Sequence, residues 1–156
     1  MGHRRRLTVP LAIGIVLGLA GCGLQVPADP NGTLERVSDG TLRAGASPDR
    51  SLIEVRGDEV SGAEADVVEA FASSLDARVE WTVGSEEQLV TGLEEGDLDL
   101  VVGGITDETP WIDRAGVTRG FADMPGADGR NVVMLVPLGE NRFLSTLETF
   151  LDEELG

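Results

Sequence analysis

Leu93-Glu94-Glu95-Gly96-Asp97-Leu98-Asp99-Leu100-Val101-Val102-Gly103-Gly104-Ile105-Thr106 joins a helix end to a buried strand and then to a glycine turn. Gly96 is the residue type that closes a helix in a left-handed cap. Leu98 to Val102 is an apolar run bounded by Asp97 and Gly103, as expected of a strand covered on both faces. Upstream, Ser85 with Gln88 three residues on reads as a capping box, opening a helix whose Leu89 and Leu93 face inward. Before that helix, Arg78 to Val83 puts Val79, Trp81 and Val83 on one face of a strand, and Val67, Val68, Phe71, Ala72 and Leu75 share a helical stripe. Thr41 to Ala46 is a further strand. Downstream, Val132 to Val136 reads as a strand, and Phe143, Leu144, Leu147, Phe150 and Leu151 form the apolar stripe of a last amphipathic helix. Strand and helix alternate, which implies an α/β layer fold with parallel pairing and right-handed crossovers. Ligands are then expected at the carboxyl ends of the strands, in the loops at Ser47, Ser85 and Gly104.

At the other end of the chain, Arg4, Arg5 and Arg6 precede an uncharged run from Leu11 to Ala20 and the sequence Leu19-Ala20-Gly21-Cys22. A basic region, a short apolar region and small residues before a cleavage point are the parts of a secretory signal. The apolar run is too short to span a bilayer. The small residues leading into Cys22 resemble the lipobox of bacterial lipoproteins. That resemblance implies removal of residues 1–21 and an acylated Cys22, held on the membrane by two or three acyl chains. Residues 22–39 contain Gly23, Pro27, Pro30 and Gly32 and read as a flexible tether, leaving residues 40–156 as one folded lobe.

Cleavage there also removes His3, and lipidation occupies the one cysteine. The remaining 135 residues then contain no His, Lys, Tyr or free thiol. Asp and Glu would be left to do any acid-base chemistry, and Ser or Thr would have no nitrogen base beside them. An enzyme is not expected, no catalytic residue is assigned, and carboxylate-based glycan hydrolysis is the residual catalytic reading. Zinc, copper and haem lose their usual ligands, so neither a metal nor a cofactor is expected. Nine arginines against 28 acidic residues give a balance of −19 after cleavage. Nucleic acid and anionic lipid surfaces would be repelled. Such acidity suits a cationic ligand or a basic partner, and it also serves solubility alone.

Three blocks carry a family resemblance: Gly40-Thr41-Leu42-Arg43-Ala44-Gly45, Gly62-Ala63-Glu64-Ala65-Asp66-Val67-Val68, and the Leu93 to Thr106 stretch. In order and spacing they resemble the first lobe of the extracellular solute-binding proteins of family 3, which serve amino-acid ABC transporters. The resemblance covers about residues 40–121. It implies a single three-layer lobe of the type II periplasmic-binding-protein fold, a mostly parallel sheet flanked by helices. Within it, Gly45 is expected to let the backbone turn after the first strand and Asp66 to cap or orient the next helix. Family members have a second lobe reached through a hinge. Here about ten residues separate Phe121 from Val132, too few for one.

The binding positions implied by the resemblance depart from the family pattern. Arg50 stands where amino-acid binders have an aromatic wall, and the opposite wall near Glu86 is missing. Three residues past Thr106, where the family places an arginine to fork onto the ligand carboxylate, the residue is Thr109. Arg114 lies five residues later, either at the ligand or in a surface, hinge-side role. Trp111 either stacks on a ligand or partner or packs over the sheet edge. Gly103 and Gly104 either offer amides to an anion or serve close packing, and Asp107 and Glu108 favour a cation. The ligand-contacting set expected is therefore Gly104, Thr106, Thr109, Trp111, Arg114 and Arg50. Two functions stand side by side. The first is an extracytoplasmic, lipid-anchored lobe that binds a small solute or docks to a transporter permease, a sensor or a complementary protein. The second is a protein-binding accessory lipoprotein with a decayed pocket.

Overall fold

The computed structural model describes residues 27–156. Its central sheet has five strands in the order β4-β1-β5-β7-β6, namely Arg78–Val83, Thr41–Ala46, Leu100–Val102, Leu135–Pro137 and Ala115–Val117. β1 pairs in parallel with β4 along six residues and with β5 on its other side. β7 runs antiparallel to both β5 and β6, so it alone opposes the direction of the other four. A two-stranded hairpin, β2 (Glu54–Arg56) and β3 (Glu59–Ser61), stands apart from the sheet.

Alternation along the strands builds two cores. Leu42, Ala44 and Ala46 of β1, Leu100 and Val102 of β5, and Val136 of β7 face helices α2 (Ala63–Ser74) and α4 (Asn141–Leu155). Phe71 sits at the centre of that layer, with its ring centroid 5.8 Å from Phe143 and 5.4 Å from Phe150. Val101 and Leu135 point the opposite way, onto Leu89, Val90 and Leu93 of α3 (Glu86–Glu95). The result is an α/β lobe of three layers with a mostly parallel sheet, as the strand-helix alternation implies. Ser85 and Gln88 form the expected capping box, and Gly96 closes α3 at φ 77°.

Four sequence expectations need revision. Gly45 does not turn the chain: it lies inside β1, where a Cβ would come within 2.9 Å of both Leu89 Cδ2 and Leu98 Cδ1. Asp66 is exposed and caps nothing; Gly62 is the N-cap of α2 and supplies no side chain. The strand expected over Val132 to Val136 is Leu135–Pro137, because Val132 instead bridges singly to Thr106 and Phe121. Finally, part of the expected tether is folded. Residues Thr33–Val37 form helix α1, and its free amides are capped from far along the chain. Glu140 accepts from Asn31 N and Thr33 N, each at 2.9 Å, while Asp29 accepts from Leu34 N and Phe143 N. Burial opposes the charge on Glu140, but those amides outweigh it and hold its carboxyl below the usual range. A five-residue helix has too few apolar positions to show a period, so its caps could be seen only in three dimensions. Cys22, the signal segment and the first tether residues lie outside the described residues.

Between Ala115 and Leu135 the chain leaves the sheet and returns. The outgoing and incoming arms lie side by side: Thr118 N donates to Met134 O at 3.0 Å, Phe121 N to Val132 O at 2.8 Å, and Met134 N to Thr118 Oγ1 at 3.0 Å. The short loop through Asp123 and Gly129 closes them. Close packing at Gly45 yields a direct test. Gly45→Ala should destabilise the lobe by about 1–3 kcal/mol through overpacking. Urea denaturation should show that this penalty shrinks when Leu98 is also cut to Ala, since the added methyl meets the Leu98 side chain.

Candidate functional site

The parallel strands β1, β4 and β5 end together, and their continuations at Ser47, Gly84 and Gly103 make one edge of the lobe. After β5 the chain must bend at once, because the returning arm of the crossover lies across it: Val133 N donates to Ile105 O at 2.8 Å and Asp107 N to Asn131 O at 3.1 Å. The bend is made by Gly103 at φ 150° and Gly104 at φ 68°. A side chain on Gly103 would strike the Ser47 carbonyl, and one on Gly104 would come within 2.5 Å of Asp49 Oδ2. Glycine is therefore required at both positions by backbone angle and by space.

Asp49 organises the neighbouring loop. Its Oδ1 accepts from Ser51 N and Oγ at 3.1 and 2.9 Å and from Leu52 N at 3.1 Å, and Arg130 reaches its Oδ2 at 3.3 Å. Burial pushes the Asp49 carboxyl upward, yet Arg130 and the Ser51 bonds prevail and leave it lowered. Arg130 also donates to Ser51 Oγ at 2.8 Å and so links the crossover loop to the β1 loop.

Beneath this edge lies Glu64, in the first turn of α2, with no exposed surface. Its Oε2 accepts from Gly103 N at 3.2 Å and Gly104 N at 2.9 Å. Its Oε1 is buried without a hydrogen-bond partner. Burial pushes this carboxyl up to about 7, against the pull of the two glycine amides and Arg130 and with added repulsion from Asp49. The two glycine amides are thus spent inside the protein and are not free to grip an anion. Sequence reasoning passed over Glu64 because a glutamate in a first helical turn is ordinarily a solvent-facing partner of the helix dipole. Only its contact with the glycine bend after β5 reveals it.

The residues expected to contact a ligand scatter. Gly104 and Thr106 do lie at the strand-end edge, with Thr106 bridged to Val132. Thr109 is nearly buried and caps a 3₁₀ turn at Pro110–Asp113, accepting from Trp111 N at 3.4 Å. Trp111 packs against the α3-side core, and its indole N–H donates to Glu86 at 3.0 Å. Arg114 is drawn along α3, where it forks onto both oxygens of Glu94, bonds Thr91 Oγ1 at 3.2 Å, and sits 5.4 Å from the Trp111 ring. Arg50 is exposed at the tip of the β1 loop. Asp107 is exposed and accepts from Asn131 Nδ2 at 3.0 Å, with Glu108 exposed beside it. Among the described residues no group of three or more metal-ligating side chains converges.

With this geometry in view, residues 42–110 match the family described as bacterial extracellular solute-binding proteins, family 3. Over that stretch, which is less than half of the chain, the sequence is similar to that family. Among solved structures, domain 1 of TmArgBP in its arginine-bound form shares the fold with a TM-score of 0.65 at 20% identity, across 76% of this chain and 97% of that one. EhuB in complex with hydroxyectoine aligns with a TM-score of 0.51 at 22% identity, covering 58% of this chain but 36% of EhuB. An ancestral cyclohexadienyl dehydratase aligns with a TM-score of 0.51 at 24% identity, over 62% of this chain and 40% of that protein. The chain therefore spans well under half of those two proteins and nearly all of the isolated TmArgBP domain. No curated protein sequence matches the chain.

Glu64 should leave a mark on stability. A carboxyl whose folded value lies near 7 and whose unfolded value lies near 4.5 binds its proton more tightly in the folded state. Its stabilisation is then complete below about pH 4.5 and is lost as pH rises through 7, on the order of 3 kcal/mol in all. Glu64→Gln should remove that slope, so thermal melts of the two proteins should diverge in the variant's favour from pH 5 to pH 8. A gap between the melts that stays constant over this range would refute the assignment.

Proposed function

We propose that this family 3 lobe is held outside the cell by lipid on Cys22 and offers its strand-end edge to a small cationic solute, without catalysis. The observation that carries this reading is the disposition of charge at that edge. Both glycine amides are occupied by Glu64, Thr109 stands where an arginine would grip a carboxylate, and Arg130 is committed to Asp49. Asp107 and Glu108 remain exposed at the rim. Those two carboxylates repel an anion and attract a cation from solvent. The arginine-bound form of domain 1 of TmArgBP supports the idea that one lobe without its partner can hold a cationic ligand.

A second reading has its own support. Ile112 is 61% exposed and Val83 44% exposed, while Trp111 and Arg114 are committed to α3. Apolar side chains left in solvent around a rigid rim suit a protein contact, such as a permease, a sensor or a complementary lobe. In that case the pocket has decayed and the lobe works as an accessory lipoprotein.

Calorimetric titration of residues 27–156 with arginine, spermidine, choline and glutamate separates the two. The cationic-solute reading expects heat with at least one of the three cations, none with glutamate, and binding that weakens as salt is raised. Silence across the cations would leave the accessory role, which crosslinking in membranes would then pursue. Anchoring has a separate test: in bacterial cells, Cys22→Ser should move the protein from the detergent phase to the aqueous phase on Triton X-114 partition.

A further inference from the structure

Glu64 faces the strand-end edge from below, and each of its two protonation states is incompletely satisfied. As a carboxylate it makes two charge-assisted bonds through Oε2 but leaves Oε1 buried without a donor. As an acid it would carry its proton on Oε1, the oxygen without a partner, and that hydroxyl would find no acceptor in its place. The bonds at Oε2 would persist to a neutral oxygen, and such bonds are roughly half as strong. Neither state is clearly preferred, so small changes around the group decide between them.

The charged groups that act on Glu64 are Asp49 and Arg130, which pair with each other at 3.3 Å. Asp49 repels a second negative charge, and Arg130 favours it. Both belong to the loops that form the edge, and Gly104 packs directly on the Asp49 side chain. The Glu64 carboxylate, the glycine bend and the Asp49–Arg130 pair therefore form one coupled unit. Anything cationic that settles on Asp49 or displaces Arg130 changes the field at Glu64.

We propose that Glu64 is the positioning residue of the strand-end edge: as a carboxylate it clamps the Gly103–Gly104 bend, and on taking up a proton it loosens that clamp. Burial raises its proton affinity until the exchange falls near neutrality, at about 7. The edge is then tighter in mildly alkaline surroundings and looser in mildly acidic ones. This deepens the solute-binding reading only in its consequence, because the clamp itself can be observed without any ligand.

The test is nuclear magnetic resonance of residues 27–156 from pH 5.5 to 8.5. The amide resonances of Gly103 and Gly104 should move together, with the same midpoint near neutrality as the side-chain carboxyl carbon of Glu64. In Glu64→Gln both amides should stay at the wild-type low-pH position throughout. Asp49→Asn, which removes a repelling charge and frees Arg130, should lower the common midpoint. A purely structural glutamate would show none of this pH dependence. Glycine amides that do not move in the wild type, or that titrate equally in Glu64→Gln, would overturn the proposal. If Glu64→Gln does not fold, the wild-type carboxyl carbon and the Asp49→Asn midpoint still decide. Failure of every cation to bind, with the amide titration intact, would remove the solute reading and leave the clamp.

Discussion

Strand β1 has protein on both faces, and this constraint sets the rest of the lobe. Leu42, Ala44 and Ala46 fill the α2 and α4 side, while Gly45 must remain without a side chain so that Leu89 and Leu98 can approach from the α3 side. Pairing with β4 along its whole length and with β5 at its far end fixes where those strands stop. The three carboxyl ends then share one edge, and a turn at each is unavoidable. A chain so enclosed also needs its polar neighbours satisfied. Asp99, fully buried, accepts from Arg43 N and is forked by Arg43 and met by Arg36, which ties β1 to α1 and to the segment leading into β5. Removing a partner from such a cluster strands charge in a dry setting, so it is sturdy only as a whole.

The same edge shows how a binding surface can change character while the scaffold persists. An amide pair at a glycine bend is a natural anion seat. Here the seat is filled from within by a carboxylate on the opposite helix. The arginine available nearby, Arg114, is held by Glu94 and Thr91, and Arg130 by Asp49. Arg114 and Arg130 are thus each neutralised by a local partner, whereas Arg50, Asp107 and Glu108 are left to solvent. The local balance thus repeats the acidity of the whole chain, which carries a formal charge of −16.

The crossover between Ala115 and Leu135 is the other defining feature. Where a two-lobed protein would send the chain into a second domain, Thr118 and Phe121 pair instead with Met134 and Val132. The two arms satisfy each other's backbone groups, and Met124 and Ala127 of the connecting loop are buried in the main core. A connection sealed in this way behaves as part of the lobe and does not need a partner domain to complete its hydrogen bonding.

Much of this architecture was legible in the residues alone. The capping box at Ser85 and Gln88, the Gly96 stop, the apolar run from Leu98 to Val102, of which Leu100–Val102 forms β5, and the stripes of α2 and α4 are local patterns, and local patterns survive being read in one dimension. The acidic balance and the separation of Phe121 from Val132 likewise required no coordinates. Helix α1, the true purpose of Gly45, and the destinations of Trp111 and Arg114 depend on partners between 20 and more than 100 residues away. Above all, Glu64 looked like any acid in a first helical turn. Burial is a property of what surrounds a group, and its nearest donors arrive from the end of β5, about 40 residues further along the chain. Sequence by itself determined the main strands and helices, their order and their charge; only tertiary structure decided that Thr33–Val37 would fold and which carboxylate would be dry, because both are set by the whole packed lobe and not by any stretch of chain.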